Sequence, residues 1–161
     1  MRDRLWYYLQ NSKFKAGYLC ELSKTASTCG NIYSFILALG SAGSVAAWAI
    51  WNEFPYVWAS IVGISQILHV AKPHIPFLKN DKEYIELCFK YEFLYLKYEK
   101  LWCRYEKGTE DENFLETEFY ELRDIEVNFL NNVRHVHVPN FKRLIEKVSQ
   151  EVEKELSRTF C

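Results

Sequence analysis

The residues best suited to chemistry in this chain lie between positions 134 and 143, where Arg134, His135, His137, Lys142 and Arg143 share one short stretch with Pro139. In an extended segment His135 and His137 place both imidazoles on the same side, as a two-histidine metal site requires. No carboxylate lies within 134–141, however, and Arg134 adds a cation, so metal coordination is the weaker reading. Three permanent cations beside two imidazoles suit an anion better. The free N–H groups of a helix starting after Asn140 would be further donors. A turn with solvated charges would use the same residues.

Elsewhere reactive groups are sparse. Cys20, Cys29, Cys88, Cys103 and Cys161 form an odd set with no CxxC pair, so neither a disulfide scaffold nor a zinc ribbon is expected, and the thiols read as reduced and inert. The chain has no Walker loop, GxGxxG, GxSxG or HExxH. We therefore expect no enzyme: no catalytic residue, no metal and no cofactor.

What positions the 134–143 stretch is decided by the distribution of charge. Twenty Lys+Arg against 21 Asp+Glu in 161 residues exclude a strongly basic nucleic-acid coat or an acidic disordered tail. Yet between Lys24 and Lys72 the only charged side chain is Glu53, leaving two uncharged runs, 25–52 and 54–71. Residues 32–51 would form a helix long enough for a bilayer core of roughly 30 Å. Residues 54–71 are slightly shorter and carry Ser60, Ser65, Gln66 and His69, with Pro55 suited to a first helical turn and Lys72 able to snorkel. Trp48, Trp51, Phe54, Tyr56 and Trp58 flank the Asn52-Glu53 turn, as amphipathic rings do at a water–lipid boundary. Five Lys/Arg precede the first run, and Lys72, Lys79 and Lys82 follow the second, so the positive-inside rule puts both termini in the cytoplasm. The first thirty residues lack the pattern of a signal peptide.

The expected architecture is all-α: a basic N-terminal helix over 1–30, a two-helix transmembrane hairpin over 31–78 and a cytosolic helical domain over 79–161. A soluble protein with two wholly apolar core helices is the alternative. The residues left over to encase them read as elongated amphipathic helices rather than a shell. In the first run Gly40, Ser41, Gly43, Ser44 and Ala47 supply small-xxx-small pairs that allow close helix approach, within one hairpin or between subunits along a pore. In the second, Val57, Ile61, Ile64 and Leu68 share a face, while Ser65, Gln66 and His69 project elsewhere, toward a protein interior, a water-filled cavity or interfacial water.

The tail reads as helices. Lys72-Pro73-His74-Ile75-Pro76 ends the second run, and Asn80 with Glu83 resembles a capping box. Tyr84, Cys88, Tyr91, Tyr95, Tyr98, Trp102 and Tyr105 then recur at 4-3-4 spacing, with Leu87, Leu94 and Leu101 on an adjacent line. Gly108 suits the far end, Thr109 and Glu112 could cap the next helix, and Leu115, Phe119, Leu122, Ile125, Phe129 and Val133 form a second stripe. A last helix carries Phe141, Ile145, Val148, Val152 and Leu156. Stacking of nucleobases on the tyrosine ladder is conceivable in energy, but rings at heptad spacing ordinarily pack between helices.

A basic aromatic N-terminal helix (Arg4-Leu5-Trp6-Tyr7-Tyr8), a Gly/Ser/Ala-rich first membrane segment, a short outer turn, a second membrane segment and a helix with Tyr91, Tyr98-Glu99, Trp102 and Tyr105-Glu106 together resemble the SLATT family. These are two-transmembrane effectors associated with SMODS nucleotidyltransferases and SLOG sensors in prokaryotic antiphage defence. The resemblance rests on layout and residue character over essentially the whole chain. It implies an ion-channel or pore effector in the bacterial inner membrane, controlled by a nucleotide or oligonucleotide from a partner nucleotidyltransferase. The residues themselves add that a pore wall needs about four subunits, so the bilayer and a homo-oligomer, a tetramer first, are the expected partners. The rival expectation is a noncatalytic membrane scaffold recruiting a cytosolic partner through its helices.

Overall fold

The computed structural model is all-α, with α1 Arg2–Ile50, α2 Pro55–Ala71, α3 Pro76–Lys79, α4 Asp81–Lys107, α5 Glu112–Asn132 and α6 Lys142–Phe160, and no strand among the described residues. The backbone is described everywhere except at 51–54, 72–74, 109 and 161, and the side chains everywhere except there and at 39–50, 55, 58, 61, 68, 71 and 76. The basic N-terminal helix is not a separate element: α1 continues through Gly30 without a break. Two compact units result, one of Met1–Ser23 with Lys82–Cys161, the other of Lys24–Asp81.

The first unit is built on the tyrosine stripe. Tyr84, Cys88, Tyr91, Tyr95, Tyr98 and Trp102 are buried together with Leu87, Leu94 and Leu101, so α4 presents a wide apolar face to its neighbours. Leu5, Leu9, Leu19 and Leu22 of α1, Leu115, Phe119 and Phe129 of α5, and Val148, Val152 and Leu156 of α6 complete this core. The rings are consumed in packing: Tyr91 meets Phe129 edge-on at 5.1 Å, Tyr98 lies 6.0 Å from Phe119, and Trp102 lies 4.9 Å from Trp6. Such buried rings offer no face to a nucleobase. Close approach of α1 and α6 needs a small residue at Gly17, where a β-carbon would stand 3.0 Å from Val148 Cγ1.

Three local expectations are corrected. Cys20 on α1 and Cys88 on α4 form a disulfide, with Cα atoms 5.3 Å apart, so these two are not free thiols, whereas Cys29 and Cys103 are free and exposed. Hydrophobicity alone assigned Ile125 to the α5 stripe, but Ile125 is 41% exposed and Glu126 takes the buried position, 3% exposed. The 4-3-4 spacing that runs 115, 119, 122, 126, 129 selects position 126 whatever its polarity. The cap of α5 is Asp111, without a side-chain cap hydrogen bond; Thr109 lies outside the described residues. Gly108 ends α4 with φ +61°, the left-handed geometry that glycine adopts without strain.

In the second unit many apolar side chains face outward. Ile32, Phe35, Ile36, Tyr56, Val57, Val62, Ile64, Ile67 and Val70 are all exposed. Among the described residues no helix is long and apolar enough to cross a membrane. The seventeen residues of α2 extend about 25 Å, against roughly 30 Å of hydrocarbon. The Gly/Ser/Ala-rich part of the first run has side chains outside the description.

Candidate functional site

The stretch between α5 and α6 is held by two buried tyrosines reaching from other helices. The Tyr84 hydroxyl on α4 donates to the His137 carbonyl at 2.7 Å. Tyr18 on α1 donates its hydroxyl proton to the Pro139 carbonyl, and the same oxygen accepts the Phe141 N–H at 3.2 Å. A buried hydroxyl must find partners, and here each finds backbone that a loop would otherwise leave to water. The loop is thereby fixed at three successive odd positions, 137, 139 and 141.

Their anchored backbone leaves the side chains free to face solvent. Arg134, His135, His137, Lys142 and Arg143 are all exposed. None of the five has an ion-pair partner among the described residues. Lys142 and Arg143 stand in the first turn of α6, where the helix dipole is positive, so two cations add to an electropositive end instead of offsetting it. One expected donor is already used, since the Phe141 N–H is bound by Tyr18. Leu144 and Ile145 N–H groups return to the Phe141 carbonyl. Among the described residues no three His, Cys, Asp or Glu side chains come together as a metal site.

The sequence reading missed a second polar cluster, inside the core. Glu126 of α5 accepts from Lys15 Nζ of α1 at 2.9 Å and forms an ion pair with Arg123 one turn earlier. Each cation also lies over an aromatic face, Lys15 4.9 Å from the Tyr91 centroid and Arg123 4.3 Å from that of Tyr8. Burial raises the phenol pKa of Tyr91 and Tyr98 well above the ordinary value, and the Glu126 charge raises both further. Tyr95, raised by burial and then by Glu99 and Glu155, reaches about 12. The Tyr98 hydroxyl oxygen is buried with no hydrogen-bond partner among the described residues. The only advance signal for this cluster was the 4-3-4 register of position 126.

The remaining expected site residues do not gather. Ser65 is buried, with its hydroxyl oxygen unpartnered among the described residues, while Gln66 and His69 are exposed. The side chains of Gly40, Ser41, Gly43, Ser44 and Ala47 lie outside the described residues.

Comparison with protein-family models, curated proteins and solved structures finds no match for this chain.

Proposed function

We propose that this chain is a pore-forming effector of the bacterial inner membrane in antiphage defence, gated by a nucleotide or short oligonucleotide that a partner nucleotidyltransferase supplies. Four or so subunits line the pore, both termini face the cytoplasm, and the reading includes a two-helix transmembrane hairpin over 31–78. The observation that carries it is the union of sequence and exposure in one unit. From Thr25 to Ala71 a single charge, Glu53, occurs, and many of the described apolar side chains of that segment, among them Phe35, Ile64, Ile67 and Val70, are exposed, while Ala26 and Tyr33 are buried. Water opposes such a surface at about 25 cal/mol per Å², and hydrocarbon does not. The membrane-facing length is then reached by α1, whose helix continues to Ile50, and by α2 with bilayer thinning around a short span.

Gating follows from the anchored loop. An anion held by Arg134, Lys142 and Arg143, with His135 and His137 beside it, would be stabilised by their charge and by the positive end of α6. Because Tyr18 and Tyr84 tie this loop to α1 and α4, a ligand there can favour one helix arrangement over another only through differential affinity.

Expression in a bacterium with a potential-sensitive dye tests the pore. The reading predicts depolarisation by the native chain and reduced depolarisation by Gly43→Leu at equal abundance. A membrane potential unchanged by the native chain, together with liposomes that stay ion-tight under every nucleotide probe, would overturn the pore reading. Ligand control is tested in liposomes carrying the full chain, with cyclic and linear di- and trinucleotides as probes. Replacing Arg134, Lys142 and Arg143 together by Ala should abolish any nucleotide effect on ion flux while leaving the basal flux in place.

A further inference from the structure

α4 carries a second apolar face that its own unit leaves uncovered. Ile85, Phe89, Phe93 and Leu96 are exposed at 44, 63, 49 and 56%, and their spacing of 4, 4 and 3 puts them on one side of the helix, opposite the tyrosine stripe. Beside them lies a groove of about 370 Å³ between α4 and α5, lined by Phe89 and Phe93 with Ile125 and Phe129 and rimmed by Glu86 and Lys90. Two phenylalanines, one 63% and the other 49% exposed, next to an unfilled apolar groove form a surface that is both a projection and a socket.

We infer that this face binds the same face of a second copy of the chain, with the two α4 helices antiparallel about a two-fold axis near Tyr91. The face is self-complementary in that orientation. With Phe89 set opposite Phe93 of the second copy, the same register brings Ile85 to within one residue, about 1.5 Å, of the level of Leu96, so large side chains meet large side chains and each Phe93 ring can enter the other copy's groove. Charge agrees with shape. Glu86 and Lys97 flank the apolar line on the same side, and antiparallel helices bring like flanks together, so each Glu86 meets Lys97 of the second copy, twice by symmetry. A parallel pairing does not bring these two together, since they are eleven residues, about 16 Å, apart along the helix. Within one chain Glu86 instead pairs with Lys90 at 2.6 Å and Lys97 lies 5.3 Å from the Phe93 ring centroid, exposed arrangements that cost little to exchange. The surface lies wholly in the first unit and does not depend on the channel reading.

Zero-length carbodiimide cross-linking of the unmodified full-length chain in detergent tests the pairing, because it joins only a carboxylate and an amine already in contact. Mixed light- and heavy-isotope chains should yield a Glu86–Lys97 cross-linked peptide that joins one light and one heavy half. Glu86→Lys alone and Lys97→Glu alone should each lose most of the dimer-specific product and raise the dissociation constant about tenfold, and combining them should restore association. Absence of the mixed-label Glu86–Lys97 peptide, or failure of the combined variant to recover association lost in the single ones, overturns the inference. So does undiminished association of Phe89→Ser, since the apolar contact is the main attraction.

Discussion

Lys15 Nζ donates to Glu126 Oε1 at 2.9 Å, joining α1 to α5 across a core that is mainly aromatic and aliphatic. The carboxylate is enclosed, 4% exposed, but its two cations are about one-third exposed, Lys15 at 34% and Arg123 at 31%. Removing the carboxylate therefore strands charges that can partly reach water. Glu126→Ala should destabilise the full chain by about 2–3 kcal/mol, below the range for a wholly buried pair. Combining it with Lys15→Met should cost less than the sum of the single changes. Urea unfolding followed by circular dichroism measures both, and additive losses would mean that the pair is not coupled.

Alkali should unfold the first unit earlier than its packing alone suggests. Native Tyr91, Tyr95 and Tyr98 hold their protons above the ordinary phenol value, whereas in the unfolded chain they ionise near pH 10. The unfolded state thus binds fewer protons above pH 10, and stability falls as pH rises. The contribution is complete below pH 10 and declines through the folded values, about 12 for Tyr95. Phenolate absorbance should show tyrosines that ionise only as the helical signal collapses. All eleven tyrosines titrating together near pH 10 in the folded chain would contradict the burial.

The Cys20–Cys88 bond closes a loop between positions 68 apart, which constrains the unfolded chain strongly. In the oxidised chain, Cys20→Ser with Cys88→Ser should lower stability by about 2–4 kcal/mol. Reductant should weaken the native chain by a similar amount and leave that double variant unaffected. Thiol alkylation before and after reduction counts the change, and two additional reactive thiols are expected. Equal alkylation in both samples would show that the bond is not formed.

Some of this was legible in the sequence, and the divisions have physical causes. The α4 stripe from Tyr84 to Trp102 could be read because nine aromatic, leucine or cysteine positions repeat at one helical period, and its burial follows from that period. Gly108 could be read as a helix end for its conformational freedom. Position 126 could not, because a residue-type criterion prefers Ile125 and only the charges of Lys15 and Arg123, one of them 111 positions away, make a buried carboxylate tolerable. The disulfide and the tyrosine anchors of the 137–141 backbone were hidden for the same reason. They join residues 53 to 123 positions apart, and no local spacing encodes such contacts. The outward face of Phe89 and Phe93 was visible as residue types, but its exposure became meaningful only once the opposite face of α4 was seen to be fully used.

Membrane integration underlies the pore, and alkaline carbonate extraction examines it with the intact chain. Membranes from cells making the protein are washed at high pH and pelleted, and pellet and supernatant are compared. The chain should remain with the lipid pellet and leave it only when detergent is added. Quantitative recovery in the carbonate supernatant, folded and without detergent, would contradict the proposal.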